Sequence, residues 1–424
     1  MPQASHVDKV QKLRKALYER AKREPALRFY SLYDKVYRED VLSHAYARCR
    51  ANRGAAGPDG VTFEDIEQNG GSGPLLARLA EELKTKQYEP GPVRRVYIPK
   101  ANGGERPLGI PDIRDRVVAM AVKLVLEPIF EADFDPDSYG FRPGRGAHQA
   151  LAAIRESIAA GMAWVIDADV SKCFDTIPHD KLMKAAASRV VDGSMLALIK
   201  MFLVAPVIDE RDGGRRTRPR MGTPQGGPAS PLLANIYLHL LDRNFRRHVE
   251  RGALQGRLVR YADDLVVVSE HHPQQEREWM GRLLARLGLT LHPDKTRLVH
   301  VGEEWVDFLG YRIRRRSNGR VALDISRKAM TRTRDTLRDM TRRTFLSLEE
   351  LIAELNVYIR GAGEYFRLAE PRTLWNLDRF VLARIARWAR HKRVRRLPEW
   401  SLARGTHLYR DLGLVTWWRR RQPK

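Results

Sequence analysis

Only two cysteines, Cys49 and Cys173, occur in 424 residues, too few for a disulfide framework or a thiolate zinc site, and in keeping with a reduced cytosol. The histidines show no metal-ligand spacing, and the pair His271-His272 ahead of Pro273 reads as part of a polar connector. No apolar run approaches the ~18 residues of a membrane-spanning helix, and the N-terminus does not resemble a signal peptide. A membrane role is therefore not expected, and the expected location is cytoplasmic. Internal repeats and long low-complexity tracts are also missing, which excludes solenoid and fibrous architectures. Acidic residues are scarce against basic ones, with 52 Asp+Glu facing 76 Lys+Arg for a net charge of +24 and a pI near 10.3. Such an imbalance calls for a polyanionic partner, and with membrane surface set aside, nucleic acid is the better candidate.

Two pairs of carboxylates stand out. Tyr261-Ala262-Asp263-Asp264 lies between Leu258-Val259-Arg260 and Leu265-Val266-Val267-Val268, so adjacent carboxylates interrupt two short apolar strands. Neighbouring side chains on a straight strand point to opposite faces. Both can approach one ion only where the chain bends, which predicts a turn at Ala262-Asp263-Asp264. A second strand, Trp164-Val165-Ile166-Asp167-Ala168-Asp169-Val170, alternates so that Asp167 and Asp169 share one face. Unpaired buried carboxylates are costly, so a cation is expected to compensate them. Oxygen ligands suit Mg²⁺, and two such ions can stabilise the attacking and leaving oxygens of an in-line displacement. The chemistry expected is nucleotidyl transfer.

A hairpin is expected at Asn102-Gly103-Gly104, which would set Lys100 opposite Arg106. Like charges facing each other are unfavourable unless a bound triphosphate reverses the sign; the alternative is a pair of solvated cations at a loop tip. Gly140-Phe141-Arg142-Pro143-Gly144-Arg145-Gly146 invites a phosphate-loop reading but lacks the lysine and Ser/Thr of a Walker loop, so an NTPase is rejected.

Taken in order, these segments resemble a bacterial group II intron reverse transcriptase and maturase. The blocks that carry the resemblance are Asn52 to Val61, Val96-Tyr97-Ile98-Pro99-Lys100 with Arg106 to Pro111, and Tyr139 to Pro143. Asp169 to Asp175, Thr223-Pro224-Gln225-Gly226-Gly227, Tyr261 to Asp264, His292 to Thr296 and Phe308-Leu309-Gly310-Tyr311 follow. The resemblance implies that Asp169 and Asp263 hold the metals with Asp264 in support. It implies that Phe174 is the aromatic gate selecting dNTPs, although a core phenylalanine would occupy the same position. It also implies that Gln225 belongs to the nucleotide pocket and that Lys295 protonates leaving pyrophosphate, where a solvated lysine is the alternative.

The implied architecture is α+β, a right-hand polymerase fold followed by a helical thumb. Residues 1–87 would form an N-terminal extension and the start of the fingers, 88–313 the fingers and palm, and 326–424 the thumb or maturase domain with a basic tail. Helices are expected near 75–86, 112–129, 228–250 and 274–287, and strands near 164–170, 258–268, 296–301 and 306–313. After Arg314 to Arg320 the pattern turns purely helical, with segments near 326–343, 348–367 and 371–393 forming a three-helix bundle. Leu355 to Gly361 with Tyr365-Phe366 resembles the maturase domain. Arg390 to Arg396, Trp400, Trp417-Trp418 and Arg419 to Arg421 interleave cations with aromatics, suited to phosphate contact and base stacking or else a solvated tail.

Expected partners are an RNA template, its own intron RNA among them, a DNA target or primer, and dNTPs. No His-Asn-His endonuclease segment is recognised, so second-strand cleavage is not expected and the primer would come from elsewhere. Two rival readings share these residues. One is a reverse transcriptase co-opted for phage defence, a CRISPR locus, a retron or a diversity-generating element, and the other is an RNA-binding splicing factor with a vestigial polymerase.

Overall fold

The computed structural model describes residues 2–99, 103–224, 226–392 and 406–418, with backbone alone at 2–5, 406 and 407. Lys100, Gln225, Trp400 and the arginines of 393–396 and 419–421 lie outside these described residues. The fold is α+β, and the chain divides into two compact units. One comprises Met1–Gly146, Ala168–Val266 and Gln274–Thr296; the other comprises Ala147–Asp167, Val267–Pro273 and Arg297–Lys424.

The first unit is organised around helix Ile113–Glu131, which is buried on nearly every side between helices Pro2–Arg23 and Glu39–Ala51. An apolar stripe at helical spacing anticipates the helix but not its depth. Its polar residues are buried because each has a partner: Asp115 accepts from the Tyr88 hydroxyl at 2.7 Å and the Gly91 N–H at 2.8 Å, and Glu127 meets Arg14 at 2.6 Å. Burial pushes the Asp112 carboxyl up to about 6. It receives the Asp59 N–H at 3.1 Å, which docks the Gly57-Pro58-Asp59-Gly60 turn.

Strands β1 (Val93–Pro99) and β2 (Glu105–Ile110) form an antiparallel hairpin within a sheet whose order is β2-β1-β4-β5, where β4 is Val207–Asp209 and β5 is Arg215–Thr217. The register corrects the expectation for the hairpin. Arg106 pairs with Ile98 and Glu105 with Pro99, so the residue opposite Arg106 is Ile98; Lys100 itself lies outside the described residues. Contacts farther back fix the register. β1 pairs with β4 over Val93 to Arg95, and Arg211 both stacks on the Tyr97 ring at 4.0 Å and forks onto Glu105.

A second sheet has the order β6-β7-β3-β8, formed by β3 (Trp164–Asp169), β6 (Arg257–Tyr261), β7 (Asp264–Ser269) and β8 (Arg297–His300). All four strands lie near the spans expected, 164–170, 258–268 and 296–301. β3 pairs antiparallel with β8, setting Asp167 opposite Arg297.

In the second unit a three-stranded sheet, β9 (Val306–Phe308), β10 (Tyr311–Arg315) and β11 (Val321–Ile325), precedes the helices. β11 corrects the expectation of a purely helical pattern after Arg320. A turn with Gly319 at φ 79° returns the chain, and the short stretch Val321 to Ile325 pairs with Tyr311 to Arg315. Helices Arg327–Met340, Leu348–Tyr365 and Pro371–His391 follow, started by the Ser326 cap, the Ser347/Glu350 capping box and Pro371. Their inward stripes, Leu351, Ile352, Leu355 and Ile359 against Leu374, Leu377, Val381, Ile385 and Trp388, are buried.

Trp417 overturns its expected role as a stacking platform. It is 1% exposed, seated beside Tyr358 with its backbone N–H donating to Asp378 at 2.9 Å, so it is core. Trp417→Ala should cost about 3–5 kcal/mol in denaturant titration, whereas Trp375→Ala, at a half-exposed site, should stay within about 0.5 kcal/mol. Equal effects would contradict this assignment.

Candidate active site

The expected turn between β6 and β7 forms on two residues, Ala262 and Asp263, with Ala262 at φ 58°. A non-glycine residue in the left-handed region costs of order 1–3 kcal/mol and persists only when its surroundings hold it. Arg260, 1% exposed, does the holding. Its Nη1 donates to the Ala262 carbonyl at 2.9 Å and to Asn235 Oδ1 at 2.8 Å, while Nε and Nη2 fork onto Asp242 at 2.6–3.0 Å. Asn235 and Asp242 are two turns apart on helix Ser230–Glu250, one face of which is thereby committed to the turn.

The segment before Phe141 completes the support. The Arg260 N–H donates to the Asp137 carbonyl at 2.9 Å and the Tyr139 N–H to the Arg260 carbonyl at 2.8 Å, so this segment runs alongside β6. Asn235 Nδ2 then donates to the Gly140 carbonyl at 2.8 Å. A Cβ on Gly140 would stand 2.3 Å from the Ala262 nitrogen, so no other residue permits this approach. Arg142 is buried and forks onto Glu131 at 2.7–3.2 Å. Gly140-Phe141-Arg142-Pro143 is thus a buttress of the turn.

Asp169 ends β3. Its carbonyl accepts the His292 N–H at 2.8 Å, and the Ser171 N–H donates to the Thr290 carbonyl at 2.9 Å. That pairing delivers Lys295, whose Nζ lies 2.6 Å from Asp169 Oδ2. Burial and the nearby charge of Asp169 raise the Asp263 carboxyl above its ordinary range, and the cations Arg106 and Arg260 partly offset them. The structure therefore brings Asp169, Asp263, Lys295 and Arg106 into one electrostatic neighbourhood. Asp264 is exposed at the head of β7. Burial, with Asp263 next in weight, pushes the Cys173 thiol up to about 12, so it stays neutral.

No three His, Cys, Asp or Glu side chains among the described residues gather into a closed cation cage. The donor set nevertheless fits a hard divalent cation. It is all carboxylate oxygen, one member is held where its charge is disfavoured, and the other already carries an ammonium as stand-in.

Phe174 is buried at 7% exposure and meets the half-exposed Phe141 edge-on at 6.4 Å. Its carbonyl accepts the Thr223 N–H at 2.7 Å. Gly226, at φ 119°, would place a Cβ 2.2 Å from the Gly109 carbonyl of β2. A cavity of about 470 Å³ opens beside this loop, lined by Arg95, Gly109, Lys172, Asp175, Gly222 and Thr223 among others; Asp169 and Asp263 are not in its lining.

Sequence reasoning missed Arg260, Asn235 and Asp242, because Arg260 sits in an apolar strand and the other two on a helix face. Gly140 was visible only as part of a familiar block. A Cβ at Gly140 should misplace Asp263 by about an ångström, so Gly140→Ala should lower turnover about 100-fold with the circular dichroism of the fold kept. Unchanged turnover would exclude the buttress.

The raised Asp263 carboxyl has a signed consequence. Its protonated form is favoured by folding, so its contribution is fully present below the ordinary carboxylate range and lost as pH rises through the raised value. Without divalent cations, Asp263→Asn should therefore gain stability on wild type between about pH 4 and neutrality, measured by denaturant titration. A gap that does not change with pH would contradict the placement.

Comparison with known proteins covers up to 73% of the chain. Residues 98–313 match the family model described as reverse transcriptase (RNA-dependent DNA polymerase), and residues 330–405 match the group II intron, maturase-specific domain. Protein YkfC of Escherichia coli (strain K12) is 34% identical over 73% of this chain and 89% of its own length. The group II intron-encoded protein LtrA of Lactococcus lactis subsp. cremoris is 32% identical over 69% of this chain and 58% of its own length. An uncharacterized 91 kDa protein in the cob intron of Schizosaccharomyces pombe is 31% identical over 67% of this chain, of which 41% of that protein is matched.

Proposed function

This chain belongs to the reverse transcriptases that carry a group II intron maturase-specific domain, and from that premise we propose that Asp169 and Asp263, supported by Asp264, hold two Mg²⁺ ions for DNA synthesis on an RNA template. The observation that carries this reading is the electrostatic coupling of Asp169 with a half-buried, charge-disfavoured Asp263 on a buttressed turn. When bound, the ions supply positive charge to the attacking and leaving oxygens of the displacement.

The chain's own residues do the rest. Arg106, whose charge reaches Asp263, draws the triphosphate of a dNTP toward the carboxylates, and Lys100 would assist from the hairpin tip. The primer 3′-hydroxyl displaces pyrophosphate at the α-phosphorus, and the Lys295 ammonium, held on Asp169 at 2.6 Å, is placed to give pyrophosphate its proton. Phe174, with its backbone fixed by Thr223, presents a ring that excludes a 2′-hydroxyl, and the family resemblance assigns Gln225 to the same nucleotide site. The template and partner is its own intron RNA, whose folding the basic C-terminal helices assist through shape and unpaired loops. Splicing chemistry belongs to that RNA. Among the described residues no helix is long and apolar enough to cross a membrane.

Primer extension on an RNA template with dNTPs and Mg²⁺ should be lost in Asp169→Ala and Asp263→Ala. Phe174→Ala should keep extension while admitting rNTPs at least about tenfold more readily, the scale of a single pocket contact. Retained extension in Asp263→Ala would sink the metal assignment. Extension absent from wild type, with splicing of the flanking RNA still promoted, would mean an RNA-binding splicing factor.

A further inference from the structure

Six non-glycine residues among those described hold a positive φ, and three of them belong to the candidate active site. Arg53 and Lys86 follow the ends of helices Glu39–Ala51 and Ser72–Lys84, and Leu309 precedes Gly310 in the turn between β9 and β10. Those are ordinary places for a left-handed residue. The other three are Ala262 on the carboxylate turn, Lys172 just ahead of the short helix Cys173–Thr176 that carries Phe174, and Phe141.

Phe141, at φ 57°, is the aromatic among them. A bulky side chain in this region is an outlier, and such strain persists only where its surroundings enforce it. Both neighbours do so here. Gly140 has its backbone against the Ala262 nitrogen and its carbonyl on Asn235, while Arg142 spends its guanidinium on Glu131, Asp135 and Ser138. Burial does not offset the strain, because Phe141 stays 52% exposed, and a glycine would suit the backbone better. What the conformation secures is the direction of the ring.

That ring meets Phe174 edge-on, with centroids 6.4 Å apart and planes at 86°. Edge-to-face is a favoured arrangement of two aromatic rings and adds to what their burial alone contributes. The Thr223 N–H holds the backbone of Phe174, which leaves the ring in need of a stop of its own. Among the described residues, Phe141 is the one aromatic ring packed against it. Discrimination between a 2′-hydrogen and a 2′-hydroxyl turns on a single oxygen atom, and a ring free to swing aside would admit either.

We propose that Phe141 is a positioning residue that locks the ring of Phe174 and so sets how strictly the site excludes ribonucleotides. The inference rests on the reading of Phe174 as the sugar gate. Phe141 acts through Phe174 and touches no reacting atom.

The test measures binding of a dNTP and of the matching rNTP to the full chain, on an RNA template with a dideoxy-terminated DNA primer and Mg²⁺, so that no turnover is needed. The readout is the ratio of the two dissociation constants. In Phe141→Gly the preference for the dNTP should fall at least about tenfold, the scale of one pocket contact, whereas Phe141→Tyr keeps the ring and should retain it. Phe174→Ala should lower the preference by at least as much, and adding Phe141→Gly to it should change nothing further, because the two residues act as one unit. A merely structural role would weaken both nucleotides alike, so an unchanged ratio in Phe141→Gly beside an altered one in Phe174→Ala overturns the proposal. Unchanged ratios in both overturn the gate and the proposal with it. Selective binding by a wild type that fails to extend an unblocked primer would sink the polymerase reading, while the ratios still decide this one. Melting checks the strain: Phe141→Gly and Phe141→Ala both lack the ring, but only glycine is at ease at φ 57°, so the glycine variant should melt higher. Alanine melting as high as glycine would overturn the aiming of the ring. Should Phe141→Gly misfold, Phe141→Leu removes the aromatic edge while keeping bulk and should lower the ratio in the same direction; an unchanged ratio there overturns the proposal.

Discussion

Two carboxylates that repel one another have to be kept side by side, and the buried pair Arg260–Asp242 is what makes this possible. A turn with Ala262 in the left-handed region would relax if left alone. The Arg260 guanidinium prevents that by taking the Ala262 carbonyl as one of its acceptors. It is itself fixed because Asp242 and Asn235 use its remaining donors. Removing one partner of such a buried pair typically costs about 3–5 kcal/mol, since the other is left charged and unpaired. The network is therefore stringent: it holds the turn only while complete. Helix Ser230–Glu250 and strand β6 meet at this guanidinium, and the segment through Gly140 joins them by the Arg260 main chain and Asn235.

The electrostatic design separates two scales. Over the whole chain an excess of 24 positive charges favours encounter with a polyanion. Within a few ångströms of the reaction centre the sign reverses, because carboxylates are needed to hold cations. Bare aspartates would repel a triphosphate, and the chain answers with cations placed individually. Arg106 lowers the cost of ionising Asp263, Arg260 does so from beneath, and Lys295 sits on Asp169. The lysine is the more exposed member of that pair.

The carboxylates, the turn and most strands were legible because each leaves a local signature: alternation on β3, a polar interruption between two apolar strands, and Ser caps ahead of periodic helices. Residues that act through distant partners leave none. Arg260 lies in a run that otherwise reads as a buried strand, and its acceptors come from positions 18 and 25 residues earlier. The hairpin register was misjudged for the same reason, since it is set by β4 and by Arg211 more than 100 residues away rather than by the glycines at the tip. Trp417 misled because its neighbours are arginines. Its burial is decided by Tyr358 and Asp378, contacts that no local composition announces. Charge clusters report the solvent-facing role of a segment, while the one aromatic pointing the other way can be its anchor.

Precision at this site comes from backbone meeting backbone. Gly140 lets one strand edge lie against the nitrogen of Ala262, and Gly226 lets the loop after Pro224 lie against the carbonyl of Gly109. In both places the distance a Cβ would have is shorter than any real contact, so the separation is set by main-chain atoms with no rotamers to vary. The first crossing fixes the height of Asp263, and the second fixes the floor of the pocket against the hairpin that carries Arg106. The Thr223 N–H on the Phe174 carbonyl adds a third main-chain contact of this kind. Main-chain atoms thus join β2, the loop on either side of residue 225 and the backbone of Phe174, with no flexible side chain between them.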